Sequence, residues 1–497
     1  MKDILENMNK KTIKQMLITI MLFVVTIVAY FAINILVEKL NIRDIDMTES
    51  KVYSLTNESK EKIKNINEKI EIQIINFDQY LYASNILNSV NVIKEYSKIN
   101  NNITIEQITD SEDTSASIVL KCNGNTKTLS IDDLYTYEFS SETYTNESLD
   151  ITEETMTNAI IEITTENNKY IYLYTTHSPY ADYPESYFST LIGKLDEKLN
   201  EINYLDLTTT QNIPEDCDCL IIPTLKEDIS ETERDAIINY INNGGNILLL
   251  QESYLLLQET YGVSELKLPN FQSVIDLYGF SFSEGIVMEQ SSENMLNNIP
   301  EFISVEINSD STIGKYLDEN AKMLLIDSAK INFKDNDTLK SLNVSYEVIA
   351  QASDSAFLRK DLTITDYSKL DSDESAPNAI LSALITKKVG DDKTSELIVF
   401  SNSIFATDSS VPVKDILTEQ SSVGTAIYFN KNEEVLEKSI KYLTDNKDLL
   451  ILRKKYYDNI PTIKLIQNGT TVQILFGLPI LIILAGFIVW RIRKNKK

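Results

Sequence analysis

The sequence is short of glycine, histidine and cysteine: 13 Gly, 1 His and 3 Cys in 497 residues. Each shortage excludes some chemistry. A single imidazole, His177, rules out any multi-histidine metal centre. So few glycines leave little room for phosphate-cradling loops, and no G-x-x-x-x-G-K-[ST] run occurs. No G-x-S-x-G elbow precedes a helix, so a Ser–His hydrolase lacks its usual nucleophile turn. Cys122, Cys217 and Cys219 are too few for a disulfide framework. Cys217 and Cys219 lie two apart on an expected strand, where side chains point the same way and bridge poorly; they read as small strand residues. No cofactor is expected. Positive charge is scarce too, with 46 basic against 74 acidic residues and a net charge of −28. Such a surface repels nucleic acid and anionic headgroups and suits cationic partners, its simplest role being solvation.

Apolar sequence is concentrated in two places. Residues 17–37 and 470–490 are each 21 residues long and uncharged. As helices each reaches about 30 Å, the thickness of a bilayer core. The first is too long for a signal-peptide core, and no A-x-A-like cleavage site follows. Lys2, Lys10, Lys11 and Lys14 precede the first stretch, and Arg491, Arg493, Lys494, Lys496 and Lys497 follow the second. Positive flanks stay cytoplasmic, so the expected chain is two-pass in the plasma membrane, N-in and C-in, with residues 38–470 outside. Setting aside both termini leaves 37 basic and 72 acidic residues in the outer portion.

Periodicity divides that portion. Glu58–Asn67 and Asn85–Ser97 read as helices, Ile70–Asn76 and Ile103–Ile108 as strands, and Ser117–Ser130 as a hairpin turning on Asn123-Gly124. Met156, Ala159, Ile160 and Ile163 share a helical face leading into the next unit. There, strands at 170–174, 204–207, 220–223 and 246–250 alternate with helices, one around Phe188–Leu199 and one opened by a Ser230/Glu233 capping box and closed at Gly244. This alternation predicts a doubly wound parallel sheet. Further on, strands are expected at 323–326, 344–349 and 397–400, helices at 379–387 and 433–443, and a mobile loop at 361–376.

In order along the chain, several segments resemble one family. Asp46-Met47-Thr48 with Tyr53-Ser54-Leu55-Thr56 is similar to its entry motif, and Thr157-Asn158-Ala159-Ile160 to its T-x-A-I helix. Ile213-Pro214 through Leu220-Ile221-Ile222-Pro223, then Ser230, Glu233, Tyr240, Ile241, Gly244 and Gly245, then Pro269-Asn270-Phe271 to Tyr278-Gly279, resemble successive strand and helix motifs. Leu397 to Phe405 resembles its late strand. The family is the GldG-like auxiliary components of ABC transport systems, first named for gliding motility. Two motifs depart from its pattern: G-H-G-E reads Thr176-His177-Ser178-Pro179, and G-D-S-D-F reads Ser401-Asn402-Ser403-Ile404-Phe405, without the acids. The resemblance implies a non-catalytic partner of an ABC-2-type permease and a cytoplasmic ATPase subunit.

The expected fold class is thus α/β: an extracytoplasmic doubly wound (Rossmann-like) parallel-sheet domain plus a smaller N-terminal α/β domain, flanked by two transmembrane helices. The expected division is 1–16 cytoplasmic, 17–37 spanning, 44–148 small α/β, 168–290 doubly wound, 291–460 mixed α/β, 470–490 spanning and 491–497 a basic cytoplasmic tail. Ligands of open α/β sheets bind beyond the carboxyl ends of the strands. That edge gathers Thr176, His177, Thr224 and Glu252 as candidate ligand-binding residues. Tyr180, Tyr183 and Tyr187, in a loop with Pro179 and Pro184, are the candidate partner-binding residues. No catalytic or metal residues are assigned. The competing readings are an extracytoplasmic binding or sensory module for envelope glycans or peptides, and an envelope hydrolase.

Overall fold

In the computed structural model, the described residues are 21, 23, 54–80, 84–109, 115–140, 145–164, 169–196, 200–262, 266–317, 321–364, 366–414, 421–427 and 430–444. Residues 1–53 form one compact unit and 54–497 another. Of the first, only the helical, exposed Met21 and Phe23 are described. Among the described residues no helix is long and apolar enough to cross a membrane. The two expected spans, 17–37 and 470–490, lie outside the described residues apart from those two positions.

The second unit begins with a small layer. Thr56 caps α1 (Asn57–Lys64) through its hydroxyl, which accepts from the Ser59 N–H. Then come β1 (Ile70–Ile75), α2 (Ser84–Ile99), β2 (Ile103–Ile108), β3 (Ser117–Cys122) and β4 (Asn125–Ser130). The sheet runs β2-β1-β3-β4, with β1 and β2 parallel and the rest antiparallel. Asn123 and Gly124 both take positive φ in the tight turn between β3 and β4, as a two-residue hairpin requires. A second hairpin, β5 (Tyr135–Ser140) and β6 (Thr145–Asp150), leads to α3 (Thr152–Thr164). Met156, Ala159, Ile160 and Ile163 of α3 pack into the core of this small layer, with Ile72, Ile93 and Tyr96.

The main layer is a nine-stranded mixed sheet. Its parallel half is built from β7 (Lys169–Tyr174), β8 (Asn200–Leu205), β9 (Cys217–Pro223), β10 (Asn246–Leu250) and β20 (Thr394–Phe400), in the order β8-β7-β9-β10-β20. Runs such as Leu220-Ile221-Ile222 and Ile247 to Leu250 are apolar on consecutive residues because both faces of the sheet are covered. Between the strands lie α4 (Pro184–Tyr187), α5 (Ser189–Asp196), α6 (Leu207–Thr210), α7 (Glu231–Asn242), α8 (Tyr254–Tyr261) and α9 (Pro269–Ile275).

The other half of the sheet is antiparallel, so the expectation of a parallel sheet holds only for part of it. In chain order the next elements are β11 (Phe280–Phe282), β12 (Ile286–Met288), β13 (Phe302–Glu306), β14 (Lys322–Ile326), β15 (Ile331–Phe333), α10 (Asn336–Ser341), β16 (Val344–Gln351), β17 (Phe357–Arg359), β18 (Glu374–Ser375) and β19 (Ile380–Lys388). β19 pairs antiparallel with β20, β16 and β15, and β15 with β11. Strands from both sides of residue 290 therefore belong to one sheet. The helix expected over 379–387 is strand β19. Its run Ile380-Leu381-Ser382-Ala383-Leu384-Ile385 is apolar apart from Ser382, which suits a buried helix and a central strand equally, and its place between β20 and β16 decides the matter.

The chain closes with β21 (Asp408–Lys414), β22 (Ser421–Ile427) and α11 (Asn430–Leu443). Val435, Leu436, Ile440 and Leu443 of α11 join the core on one face of the main sheet. Lys438, fully buried on α11, pairs with Glu154 of α3 and so links the two layers. The segment 361–376, expected as a mobile loop, is tied to the fold at Asp366, Ser368 and Asp373. Arg359, 2% exposed, grips Asp373 at 2.7 Å and donates to the carbonyls of Ser368 and Asp366.

Cys217 and Cys219 depart from their expected common direction. Tyr170 of β7 faces Cys217 while Ile171 faces Cys219, so Asp218 is an extra residue in β9. A bulge of this kind turns the side chains on its two sides away from each other. Cys217 accordingly packs on one face of the sheet and Cys219 on the other. Asp218 spends its carboxylate on the Tyr170 N–H at 2.9 Å and Lys169 at 3.3 Å.

Candidate functional site

Chain order places the topological switch between β7 and β9: the chain runs from β7 outward to β8, then returns to β9 on the other side. Loops diverge at such a point and leave a crevice beyond the carboxyl ends of the strands. Thr176 and His177 follow β7, Thr224 follows β9, Glu252 follows β10 and Ser403 follows β20. The structure brings the expected residues to one edge in two separate clusters.

The first cluster centres on Glu233 in the first turn of α7. Ser230 is the N-cap; its hydroxyl accepts from the Glu233 N–H at 3.3 Å and Glu233 Oε2 accepts from the Ser230 N–H at 2.8 Å. The same carboxylate accepts from the Tyr174 hydroxyl at 2.9 Å and lies 3.1 Å from His177 Nε2. Burial works against its charge, but the bonds from Ser230, His177 and Tyr174 outweigh it and hold the carboxyl below its usual range. An ionised Glu233 accepts only, so Nε2 of His177 carries the proton of that bond. Nδ1 is left facing Glu227 at 4.0 Å. His177 itself takes φ +62° in the turn after β7, and its carbonyl accepts from Lys226 N at 2.9 Å. Thr176 donates to Asp206 at 3.2 Å.

The second cluster is buried. Thr224 Oγ1 accepts from Gln251 Nε2 at 2.9 Å and from the Glu252 N–H at 3.2 Å. Gln251 Oε1 accepts from the Leu225 N–H at 3.2 Å. Glu252 takes bonds from the Tyr180 hydroxyl at 3.1 Å and from Ser403, and Tyr180 and Ser403 are themselves 2.9 Å apart. Three loops are thus tied at one carboxylate, whose burial pushes its protonation upward. Asp327, just past β14, is pushed up to about 6, by burial first and then by Glu301 and Glu252.

The tyrosines separate. Tyr180 is buried, while Tyr183 and Tyr187 are 68% and 42% exposed. Tyr187 packs its ring against Tyr180, with centroids 4.9 Å apart. Sequence reasoning missed Ser403 and Asp327. The departure of Ser401-Asn402-Ser403 from the family's acidic motif was the available signal. In place of acids, Ser401 donates to Leu381 O at 3.0 Å, Asn402 binds Ile326 O and the Phe405 N–H, and Ser403 binds Glu252.

The Ser178 hydroxyl accepts from the Tyr180 N–H and the residue is buried. All three cysteines are buried; burial pushes Cys217 up to about 12 and raises Cys122 and Cys219, so none is held as a thiolate. Among the described residues no group of three His, Cys, Asp or Glu side chains could hold a metal ion.

The fold is mixed α/β, and the candidate side chains at the carboxyl edge of its main sheet bond within the fold. A family model described as an ABC-type uncharacterized transport system matches residues 168–436, more than half of the chain, and the chain belongs to that family. It is an auxiliary component of an ABC transport system, in agreement with the GldG-like resemblance. A search of curated proteins finds no match. Among solved structures, a mmIFT52 N-terminal domain is 11% identical, over 55% of this chain and 97% of that one, with a TM-score of 0.37. A myo-inositol dehydrogenase from Corynebacterium glutamicum ATCC 13032 is 10% identical, over 57% of this chain and 93% of that one, with a TM-score of 0.15. At these scores neither likeness bears on fold or function.

Proposed function

We propose that the chain is a non-catalytic, membrane-anchored subunit that acts outside the cell with a separate ABC-2-type permease and a cytoplasmic ATPase. The observation that carries this reading is the internal use of the carboxyl-edge side chains. Thr176, His177, Thr224 and Glu252 each bond to another residue of the fold. They brace loops instead of facing a substrate. Tyr183 and Tyr187 stay exposed beside that brace, and exposed tyrosines on a preorganised loop make good anchors for a protein partner. Family membership supports the association with a transport system. The two uncharged stretches and their basic flanks support a two-pass anchor with residues 38–470 outside.

Topology has a direct test. Ser372 is exposed and Asn495 lies in the basic tail. An impermeant thiol reagent on intact cells, after wall removal, should label Ser372→Cys and leave Asn495→Cys unlabelled. The reverse pattern would overturn the membrane assignment.

A further inference from the structure

Among the described residues, the small sheet ends on an unpaired edge at β2. β1 and β2 run in unbroken parallel register, from Ile70 opposite Ile103 to Ile75 opposite Ile108. Ile70 N–H donates to Asn102 O and Asn76 N–H to Ile108 O, both at 2.9 Å, so the even-numbered residues of β2 face β1. Successive residues in a strand turn their backbone groups to opposite edges. Ile103, Ile105 and Gln107 therefore face outward. The Ile103 N–H is taken by Asn100 O at 3.1 Å. The Ile103 carbonyl and both backbone groups of Ile105 and Gln107 have no backbone partner among the described residues, and no isolated bridge adjoins them.

Exposed edges are usually blunted by a lysine, a proline or a bulge. β2 has none of these in its run Ile-Thr-Ile-Glu-Gln-Ile. β4, at the other side of the sheet, carries Lys127 near its centre, paired with Glu162 of α3. On the helix-covered side of the β2 edge, Ile103 is buried in the small core, and Ile105 and Ile99 of α2 pack against that core while staying partly exposed. On the other side Thr104 and Glu106 are exposed. Such an edge fits a second copy of itself. With a two-fold axis at Ile105, antiparallel pairing brings each Ile105 N–H to the other copy's Ile105 carbonyl and each Gln107 N–H to the other copy's Ile103 carbonyl. Ile105 then meets Ile105 at the margin of the two cores, and Thr104 lies opposite Glu106, so no carboxylate directly opposes another. An axis at Glu106 would set the two carboxylates face to face.

We propose that two copies of this chain join edge to edge through β2, so that their small sheets become one continuous sheet across a two-fold axis at Ile105. The backbone bonds set the register, and the half-exposed isoleucines supply the apolar contact. This contact uses the same surface on both copies and closes at two, whereas β2 against β4 of another copy would leave an edge free at each end and grow. The surface is distinct from the Tyr183/Tyr187 patch and does not depend on it.

The test is the mass of the full-length chain in mild detergent, followed by analytical ultracentrifugation over a range of concentrations. Wild type should form a dimer and nothing larger. Gln107 is exposed and its N–H faces outward, so Gln107→Pro leaves the β1–β2 ladder intact. It removes one intercopy bond from each copy and should raise the dimer dissociation constant about tenfold or more. A second measurement does not depend on that variant folding. Thr104 and Glu106 of opposite copies would form a non-hydrogen-bonded pair with Cα atoms about 4.5 Å apart, within disulfide reach. The three native cysteines are buried. Mild oxidation should therefore link the Thr104→Cys/Glu106→Cys double variant into a covalent dimer, and neither single variant. A monomer at every concentration, assemblies that grow past the dimer, a dimer that a folded Gln107→Pro does not weaken, or a double variant that oxidation does not link would each overturn the proposal. So would linking of a single variant as readily as the double.

Discussion

At the residue scale, local signals were legible and distant ones were not. The Ser230/Glu233 box lies within four residues, and both halves of it form. Gly244 was legible as a helix stop and takes φ +86°. The further bonds of Glu233 to Tyr174 and His177 come from residues more than 50 positions away and leave no mark on the spacing. Ser230→Ala should cost about 0.5–2 kcal/mol in a denaturant titration. Gly244→Val should cost more, because a β-branched residue resists positive φ and a Cβ there already lies 3.2 Å from Thr394 O. Equal melting of Gly244→Val and wild type would contradict the helix boundary. Asp327 makes a pH prediction. Its folded value of about 6 exceeds the ordinary 3.8, so between those values the folded chain keeps a proton that the unfolded chain has released. Its contribution to stability is best below pH 4, falls as pH rises towards 6 and is level above that. Asp327→Asn should flatten this slope and raise stability near pH 7.5 by about 1–3 kcal/mol. Asparagine also tolerates the φ of +54° at this position. An unchanged slope across pH 4–6 would show that Asp327 titrates normally.

At the element scale, amphipathic helices and alternating strands were legible, while fully buried segments were ambiguous. The helix around residues 433–443 could be read because one face is apolar, as Val435, Leu436, Ile440 and Leu443 show. β19 could not, because both its faces are covered and its apolar run has no period. The 361–376 segment looks like a loop by composition, and it largely lacks regular structure. Its order comes from Arg359, whose pairing with Asp373 depends on the fold and not on sequence spacing. Asp373 is 3% exposed, so Arg359→Met would leave a buried carboxylate without its cation. The expected cost is about 3–5 kcal/mol, with protease cleavage appearing first between residues 360 and 373. If this variant melts as the wild type does and resists cleavage, the clamp is not what orders the segment.

At the scale of the whole molecule, the parallel core was legible because strand–helix alternation is a local rhythm repeated along the chain. The antiparallel half was not, because β11 and β15 are short, β16 lies far from β19 in sequence, and the apolar run of β19 reads as a helix. The carboxyl-edge residues were correctly gathered, since they follow from topology alone. What the topology did not reveal is their partners, which brace the loops: Thr176 bonds to Asp206, His177 to Glu233, Thr224 to Gln251 and the Glu252 N–H, and Glu252 to Tyr180 and Ser403. That brace, family membership and the exposed tyrosines together support the account of a partner-dependent subunit. Purification of the full-length chain from its native membranes in mild detergent, with identification and quantification of what accompanies it, tests this account most directly. The predicted result is a permease and an ATPase in fixed ratio to the chain, the ratio falling when Tyr183→Ala and Tyr187→Ala are combined while the chain stays folded. Recovery of the chain alone, or saturable micromolar ATP binding by the isolated chain, would contradict it.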